Sequence, residues 1–548
     1  MRQGISFVCD DAGRLLTAGS GRYNNTVAFA YTDGAGRLTS ESLAVNFAAA
    51  RTYTVASQYD AAGHRTGITY PDGSVVTRSY TQRDQLAQIG YNSAMVAQFT
   101  YDNNGRRLTR KLGDTPQRVT TYSYSGRLDN LVTSISTPSV ISFAYTYDAN
   151  RNKLTETLGS PMANYGFNST AYDSEDRLTA WTRHDGQKNQ SWNLSLAGDW
   201  NSFTENGATQ ARTHTPVHEL TAIGSNALTF DPKGNLTHDN TKSPAQSYTW
   251  DFDNRLLSAT LGGATASYTY DALGRRVSKT AGGATTVYVC TTRPMQKSPN
   301  AGQEVAEYAA GAMASSPQRK YVFAEYIDEP VVMLVPASGG ETKYYYHANN
   351  LYSVAAITNQ AGSVVERYAY TPYGKTLFLN GSGSLLSPQP ASSPVGNPSL
   401  YTGRRLDSET GLDYYRARYY AADSGRFIGR DPIGIQGGLN LYGYVGGLPL
   451  GHIDPNGYYG ECGVATPCLC GAGTCTIPQP PAEPVVPPEC RRAMRNCSLM
   501  TDIAIGACVI AVVCPPSDAL GAGFGCVAAA AAAACEDAEE ICNEHSKR

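Results

Sequence analysis

Cysteine is nearly missing from most of this chain. Of thirteen, only Cys9 and Cys290 precede residue 460, so the first 460 residues do not rest on a disulfide framework. Charge is scarce as well. Charged residues make up 17% and the formal net charge is −3, which removes an electrostatic case for nucleic acid as a partner of the whole chain. Behind Met1, in "MRQGISFVCDDAGRLLTAGS", no basic stretch leads into an apolar core. A secretory signal peptide is therefore not expected. A protein that leaves the cell without one takes another route, or this chain is a piece of a longer one.

Glycine (54) and tyrosine (37) are abundant, which favours strands and turns over long helices. An aromatic-Asp pair recurs in one frame: "YDAAGHRT" at Tyr59, "YDNNGRRL" at Tyr101, "YDANRNKL" at Tyr147 and "YDSEDRLT" at Tyr172. It returns as "FDPKGNLT" at Phe230, "WDFDNRLL" at Trp250 and "YDALGRRV" at Tyr270. Weaker copies stand at Tyr80 and Tyr124. An alternating segment such as Ala266 to Asp271 reads as a strand. Asp at the first turn position and Gly at the fourth, as in Asp271 and Gly274, suit a type I turn followed by a left-handed residue. Arg151, Asp176 and Asn254 hold that fourth place in three copies. Each unit is thus a β-hairpin too small to bury its own face, and stacked units form one sheet. On the residues alone this is a β-solenoid with a structural role.

The repeats resemble the YD repeats of the Rhs (rearrangement hotspot) proteins, shared by teneurins and the C subunits of insecticidal toxin complexes. The core sequences "EYIDEPVVML" (Glu325 to Leu334), Tyr344 to Gly374, and "YTGRRLDSETGLDYYRARYYAADSGRFIGRDPIG" (Tyr401 to Gly434) are similar to the Rhs-associated core. The resemblance spans about residues 10 to 457. It implies an all-β fold, a spiral of YD-repeat hairpins forming a hollow shell or cocoon. The division it suggests is repeats over 1–320, the associated core over 321–458, a Cys- and Pro-rich linker over 459–489, and a small Cys-rich helical tail over 490–548.

Two Asp-Pro pairs, Asp431-Pro432 and Asp454-Pro455, are each followed by one residue and a glycine. Read as local sequence, these are good turns. The resemblance implies more: an intramolecular aspartyl protease that cuts the chain just after the second motif. Asp431 and Asp454 would share a proton, one activating water and the other protonating the carbonyl oxygen. Arg430 would be the charged neighbour favouring ionisation of Asp431. Where the family commonly has Leu at the cut, this chain has Tyr458.

Composition changes at Tyr459. "PQPPAEPVVPP" (Pro478 to Pro488) is an extended linker. Beyond it, "CRRAMRNC" and "CEDAEEIC" space Cys490 from Cys497 and Cys535 from Cys542 by seven, one helix face each. Between them Pro515 and Pro516 interrupt two apolar stretches. Folding there brings Cys490 to Cys542 and Cys497 to Cys535. Zinc is the weaker reading, since paired CxxC knuckles are absent and His545 is the tail's single histidine. The tail's charge is five basic against ten acidic residues, against a nucleic-acid target. A membrane-inserting tail ranks below a disulfide-stapled soluble hairpin, because its apolar runs are short.

The leading functional expectation is an Rhs-type polymorphic toxin, with the tail as its enclosed effector. Its expected partners are an immunity protein and type VI secretion components, and no cofactor is called for. The competing class is a surface adhesin that binds glycans through exposed aromatic strands. A truncated, undelivered fragment is the third reading.

For the tail, peptide mapping without reduction is expected to find Cys490 joined to Cys542 and Cys497 to Cys535, each link adding about 2–4 kcal/mol. Cys490 joined to Cys497, or eleven free thiols after periplasmic export, would contradict it.

Overall fold

The computed structural model describes residues 4–126, 131–292, 302–458 and 460–462. The tail expected to be helical, and the four cysteines expected to pair in it, lie outside the described residues. The chain forms two compact units. One comprises residues 1–4 and Gly19–Cys468; the other comprises Ile5–Ala18 and Leu469–Arg548. In the second, the described part is a turn of the repeat type. Asp10 accepts the Ala12 and Arg14 amides, and Gly13 is left-handed (φ 78°).

In the first unit, every strand from Asn25–Ala30 to Thr376–Asn380 pairs antiparallel with the next. The sheet runs on through residue 320, where Arg319–Phe323 pairs with Pro330–Ala337. The change near that point is therefore one of motif along a single sheet. Among the described residues the helical turns are short 3-10 segments.

The repeat turns follow the sequence reading. Gly105, Gly234 and Gly274 have φ near +80°, and Arg151, Asp176 and Asn254 take the same left-handed place at +72°, +63° and +60°. The ladder slips by one residue at the aromatic, as between Thr269 and Tyr270 or Thr146 and Tyr147, which is the expected bulge. The structure adds what holds the turn. Asp Oδ1 accepts the amide four residues on at 2.8–2.9 Å in the turns of Asp60, Asp102, Asp173, Asp231, Asp251 and Asp271. Its Oδ2 receives the Nε of the following arginine at 2.6–2.8 Å in Asp102–Arg106, Asp173–Arg177, Asp251–Arg255 and Asp271–Arg275.

Neighbouring units are clipped together by the aromatic. The hydroxyls of Tyr101, Tyr147, Tyr172 and Tyr270 donate to the backbone carbonyls of Leu86, Val132, Lys153 and Leu256 in the preceding unit. Trp250 does the same to Leu236 through its indole N–H. Arg37 and Arg106 lie 4.9 Å over the rings of Tyr59 and Tyr124 of the next unit.

The sheet then meets itself. Tyr53 donates to the carbonyl of Ala312, Tyr70 to Tyr321, Arg78 to Phe323 and Arg118 to Gly362, at sequence separations of 244 to 259. A strip that returns to its own edge after about 250 residues is a spiral. A small four-stranded sheet, from Arg405–Asp407 to Arg426–Phe427, lies against the repeats. Its Leu412, Tyr414 and Tyr419, with the following Ile428, share a core with Leu220, Leu236, Leu256 and Tyr268. A fully buried pair, Arg276 and Asp407 at 2.5 Å, joins the two.

Removing a turn carboxylate is costly where its arginine is buried. Asp271 pairs with Arg275 at side-chain exposures of 2% and 5%. Asp271→Ala is expected to lower stability by about 3–5 kcal/mol, read from the denaturation midpoint. Asp102→Ala, in a more exposed copy, is expected to cost much less. Equal losses at the two sites would contradict a role for burial.

Candidate aspartyl dyad at the end of the core

Asp431 and Asp454 come together although 23 residues separate them. Asp431 follows the small sheet; its amide donates to the carbonyl of Leu441 at 2.8 Å, and its Oδ1 accepts the Ile433 amide at 3.0 Å. Asp454 opens the turn of "DPNGY". Its Oδ1 accepts the amides of Asn456, Gly457 and Tyr458 at 3.2, 2.7 and 3.1 Å. One carboxylate oxygen thus shapes the segment that would be cut, and Oδ2 meets the cation that also meets Asp431.

The cation between them is Arg418. One of its terminal nitrogens lies 3.0 Å from Asp431 Oδ2 and 3.4 Å from Asp454 Oδ2. Its Nε donates to the carbonyl of Gly457 at 2.5 Å, and its other terminal nitrogen to that of Leu441 at 3.1 Å. The guanidinium also sits 3.6 Å over the ring of Phe427. Arg430, the expected neighbour, points elsewhere. It donates to Glu219 at 2.6 Å and to the Tyr442 hydroxyl at 3.3 Å. Adjacency in the chain thus does not bring its guanidinium to Asp431.

Arg418 escaped the sequence reading because it lies thirteen residues before Asp431, in a run of arginines and tyrosines. Gly437 escaped it too. A Cβ there would fall 2.4 Å from Asp431 Oδ2 and 2.9 Å from the Tyr458 carbonyl oxygen. Its bare Cα therefore lines the narrow gap between the candidate acid and the peptide carbonyl at the expected cut. The segment is held from below as well: Ala417 donates to the Asn456 carbonyl at 3.2 Å, and Arg416, bound bidentately to Asp328, donates to that of Pro455. His452–Ile453 and Glu461–Cys462 pair as short strands on either side of the turn.

Burial governs the electrostatics. Asp431 is 8% exposed and Asp454 2%. Burial pushes the Asp431 carboxyl up to about 6, Arg418 pulling it down and Asp454 adding to the rise. Asp454 is raised by burial too, against Arg418 and its three amides. Burial likewise draws Arg418 below its ordinary value, opposed by both carboxylates. Two buried carboxyls with raised proton affinity, set on one arginine, suit joint acid and base chemistry. Among the described residues no cluster of three His, Cys, Asp or Glu side chains could hold a metal ion.

The chain matches the family model "Teneurin YD-shell" over residues 168–433. It is 26% identical over 398 residues to the double-stranded DNA deaminase toxin A of Burkholderia cenocepacia, covering 68% of this chain and 27% of that protein. It is 27% identical over 250 residues to the tRNA3(Ser)-specific nuclease WapA of Bacillus spizizenii, covering 44% and 10%. Among solved structures it resembles TcdB2-TccC3 without its hypervariable C-terminal region. The TM-score is 0.65 at 19% identity, over 81% of this chain and 24% of that one. The chain thus spans about a quarter or less of the length of these relatives.

Titration followed by carboxyl NMR is expected to place Asp431 near 6. Arg418→Met should raise it further, since the guanidinium favours the ionised form. An Asp431 that titrates near 4 in the wild type would contradict the arrangement.

Proposed function

Because the chain belongs to the YD-shell, or Rhs repeat, family, we propose that its spiral is the encapsulating shell of a polymorphic toxin that cuts itself after Tyr458. The tail from Tyr459 to Arg548 is then the effector, enclosed by the shell and carried with it out of the producing cell. Two relatives named for acting on DNA and on tRNA, and a solved relative whose C-terminal region is described as hypervariable, support a shared carrier with interchangeable cargo.

The observation that carries the reading is the convergence of Asp431, Asp454 and the Tyr458 carbonyl around Arg418 and Gly437. The chemistry follows from these groups. The ionised carboxylate takes a proton from an attacking water. The protonated one, with its raised affinity, gives a proton to the carbonyl oxygen and afterwards the leaving amine is protonated. Three amides on Asp454 Oδ1 and Arg418 on the Gly457 carbonyl hold the peptide still, so the single turnover in cis draws on orientation. Tyr458 in place of Leu alters a side chain, while these contacts reach it through backbone.

A glycan-binding adhesin needs exposed aromatic platforms. Among the large exposed apolar side chains of the described residues, Phe252 is the aromatic one, at 69%, and the tyrosines fill the core and the clips.

Purified wild-type protein is expected to run as two pieces, the smaller of about 90 residues. Asp431→Asn and Asp454→Asn should each leave the chain whole. Gly437→Ala should slow the cut on the order of a hundredfold by forcing acid and carbonyl apart. The rate should fall as pH rises above about 6, where Asp431 loses its proton. Cutting that survives either Asp→Asn change would overturn the assignment.

A further inference from the structure

The loop that carries Asp431 is held from outside as well as by its own hydrogen bonds. Residues 430–442 are tied to three successive repeat turns more than 200 positions earlier in the chain. The side-chain amide of Asn440 donates to Asp199 Oδ1 at 2.9 Å. Arg430 donates to Glu219 Oε1 at 2.6 Å. The Tyr442 hydroxyl donates to the Gly234 carbonyl at 2.7 Å, where a Cβ on Gly234 would collide with it and with Arg430. Asp199 is itself braced by His218 Nδ1 at 2.6 Å, and Arg426 donates to the His218 carbonyl.

Between the anchored Asn440 and Tyr442 lies Leu441. Its carbonyl accepts two bonds, from the Asp431 amide at 2.8 Å and from Arg418 at 3.1 Å. The anchors on Asn440 and Tyr442 therefore reach the dyad through one backbone oxygen, and the anchor on Arg430 acts on the residue next to Asp431. That oxygen sets both the acid and the cation that faces the two carboxylates. None of these turn residues touches the peptide to be cut.

We propose that Asp199 and Glu219 are positioning residues for the self-cutting site, so that the cut is made only once the repeat strip has closed upon the 418–458 segment. The inference rests on the autocleavage reading. Cutting then acts as a checkpoint on shell completion: a chain whose repeats around residues 195–236 are unformed keeps its cargo covalently attached. The energetics are those of placement. Loss of one tether lets the Leu441 carbonyl drift, and a displacement of about 1 Å at such a site costs on the order of tenfold to a hundredfold in rate.

The test is pulse-chase cell-free synthesis of the full chain, with cut and uncut forms read on a gel. Asp199→Ala and Glu219→Ala should slow the cut on the order of tenfold or more while the β signature in circular dichroism is kept. Asp199→Asn, whose amide oxygen can still accept from Asn440, should recover most of the rate. Asp423→Ala is the control. Asp423 ties the same C-terminal segment to Lys242 and Lys375, away from the loop, and its loss should leave the rate unchanged. The proposal is overturned if Asp199→Ala and Glu219→Ala cut at the wild-type rate, or if Asp423→Ala slows the cut as much as they do. An intact wild-type chain, or cutting that persists in Asp431→Asn, would sink the underlying autocleavage reading and this one with it. Wild-type cutting abolished by Asp431→Asn but indifferent to the tethers would sink this one alone.

Discussion

The spiral depends on one side-chain oxygen at the head of its repeat turns, a carboxylate in the aromatic-Asp copies. The aspartate after the aromatic accepts backbone amides with one oxygen and an arginine with the other. It thereby fixes a left-handed residue at the fourth place even where that residue is arginine or aspartate. Charge-assisted bonds of this kind are roughly twice as strong as neutral ones, and they recur along the strip. The arginine so held then presents its guanidinium to the next aromatic, as Arg106 does to Tyr124. Each turn helps to define its successor, so the stability of the strip grows by neighbour interactions, as in other repeat proteins.

A strip alone is flexible in curvature. What fixes the spiral is its second contact with itself, made largely by arginine and tyrosine side chains reaching backbone carbonyls one turn away. These are directional bonds, and they leave little freedom of register. The small C-terminal sheet adds a tyrosine-rich core with a buried charge pair at its centre, Arg276 with Asp407. Such a pair is sensitive to loss of either partner. It links the repeats to the segment that carries the dyad, so fold and site share one network.

Much of this was legible because it is local. The Asp-x-x-Gly spacing gave the turns, and the aromatic alternation gave the strands. Arg151 and Asp176 obey the turn despite their side chains, because the aspartate overrides their intrinsic preference. The return of the strip was illegible, since nothing in the sequence marks which carbonyl lies 250 residues from which tyrosine. The site shows the same division. Asp431 and Asp454 were candidates from the family resemblance, their repeated Asp-Pro context reading alone as turns, and the structure brings both to one arginine. Arg418 was missed and Arg430 chosen, because chain adjacency stood in for spatial adjacency. Gly437 was missed because an absent side chain leaves no pattern. Glu219 and Asp199 meet the loop that carries Asp431 only through tertiary contact.

The central claim is that a buried aspartate pair bridged by Arg418 breaks the peptide bond behind Tyr458. A high-resolution experimental structure of the purified wild-type protein tests it most directly. The account predicts a chain break between Tyr458 and Tyr459, with both carboxylates still on Arg418 and the new terminus beside Asp431. A continuous peptide through that bond, or a break at another place, would contradict it.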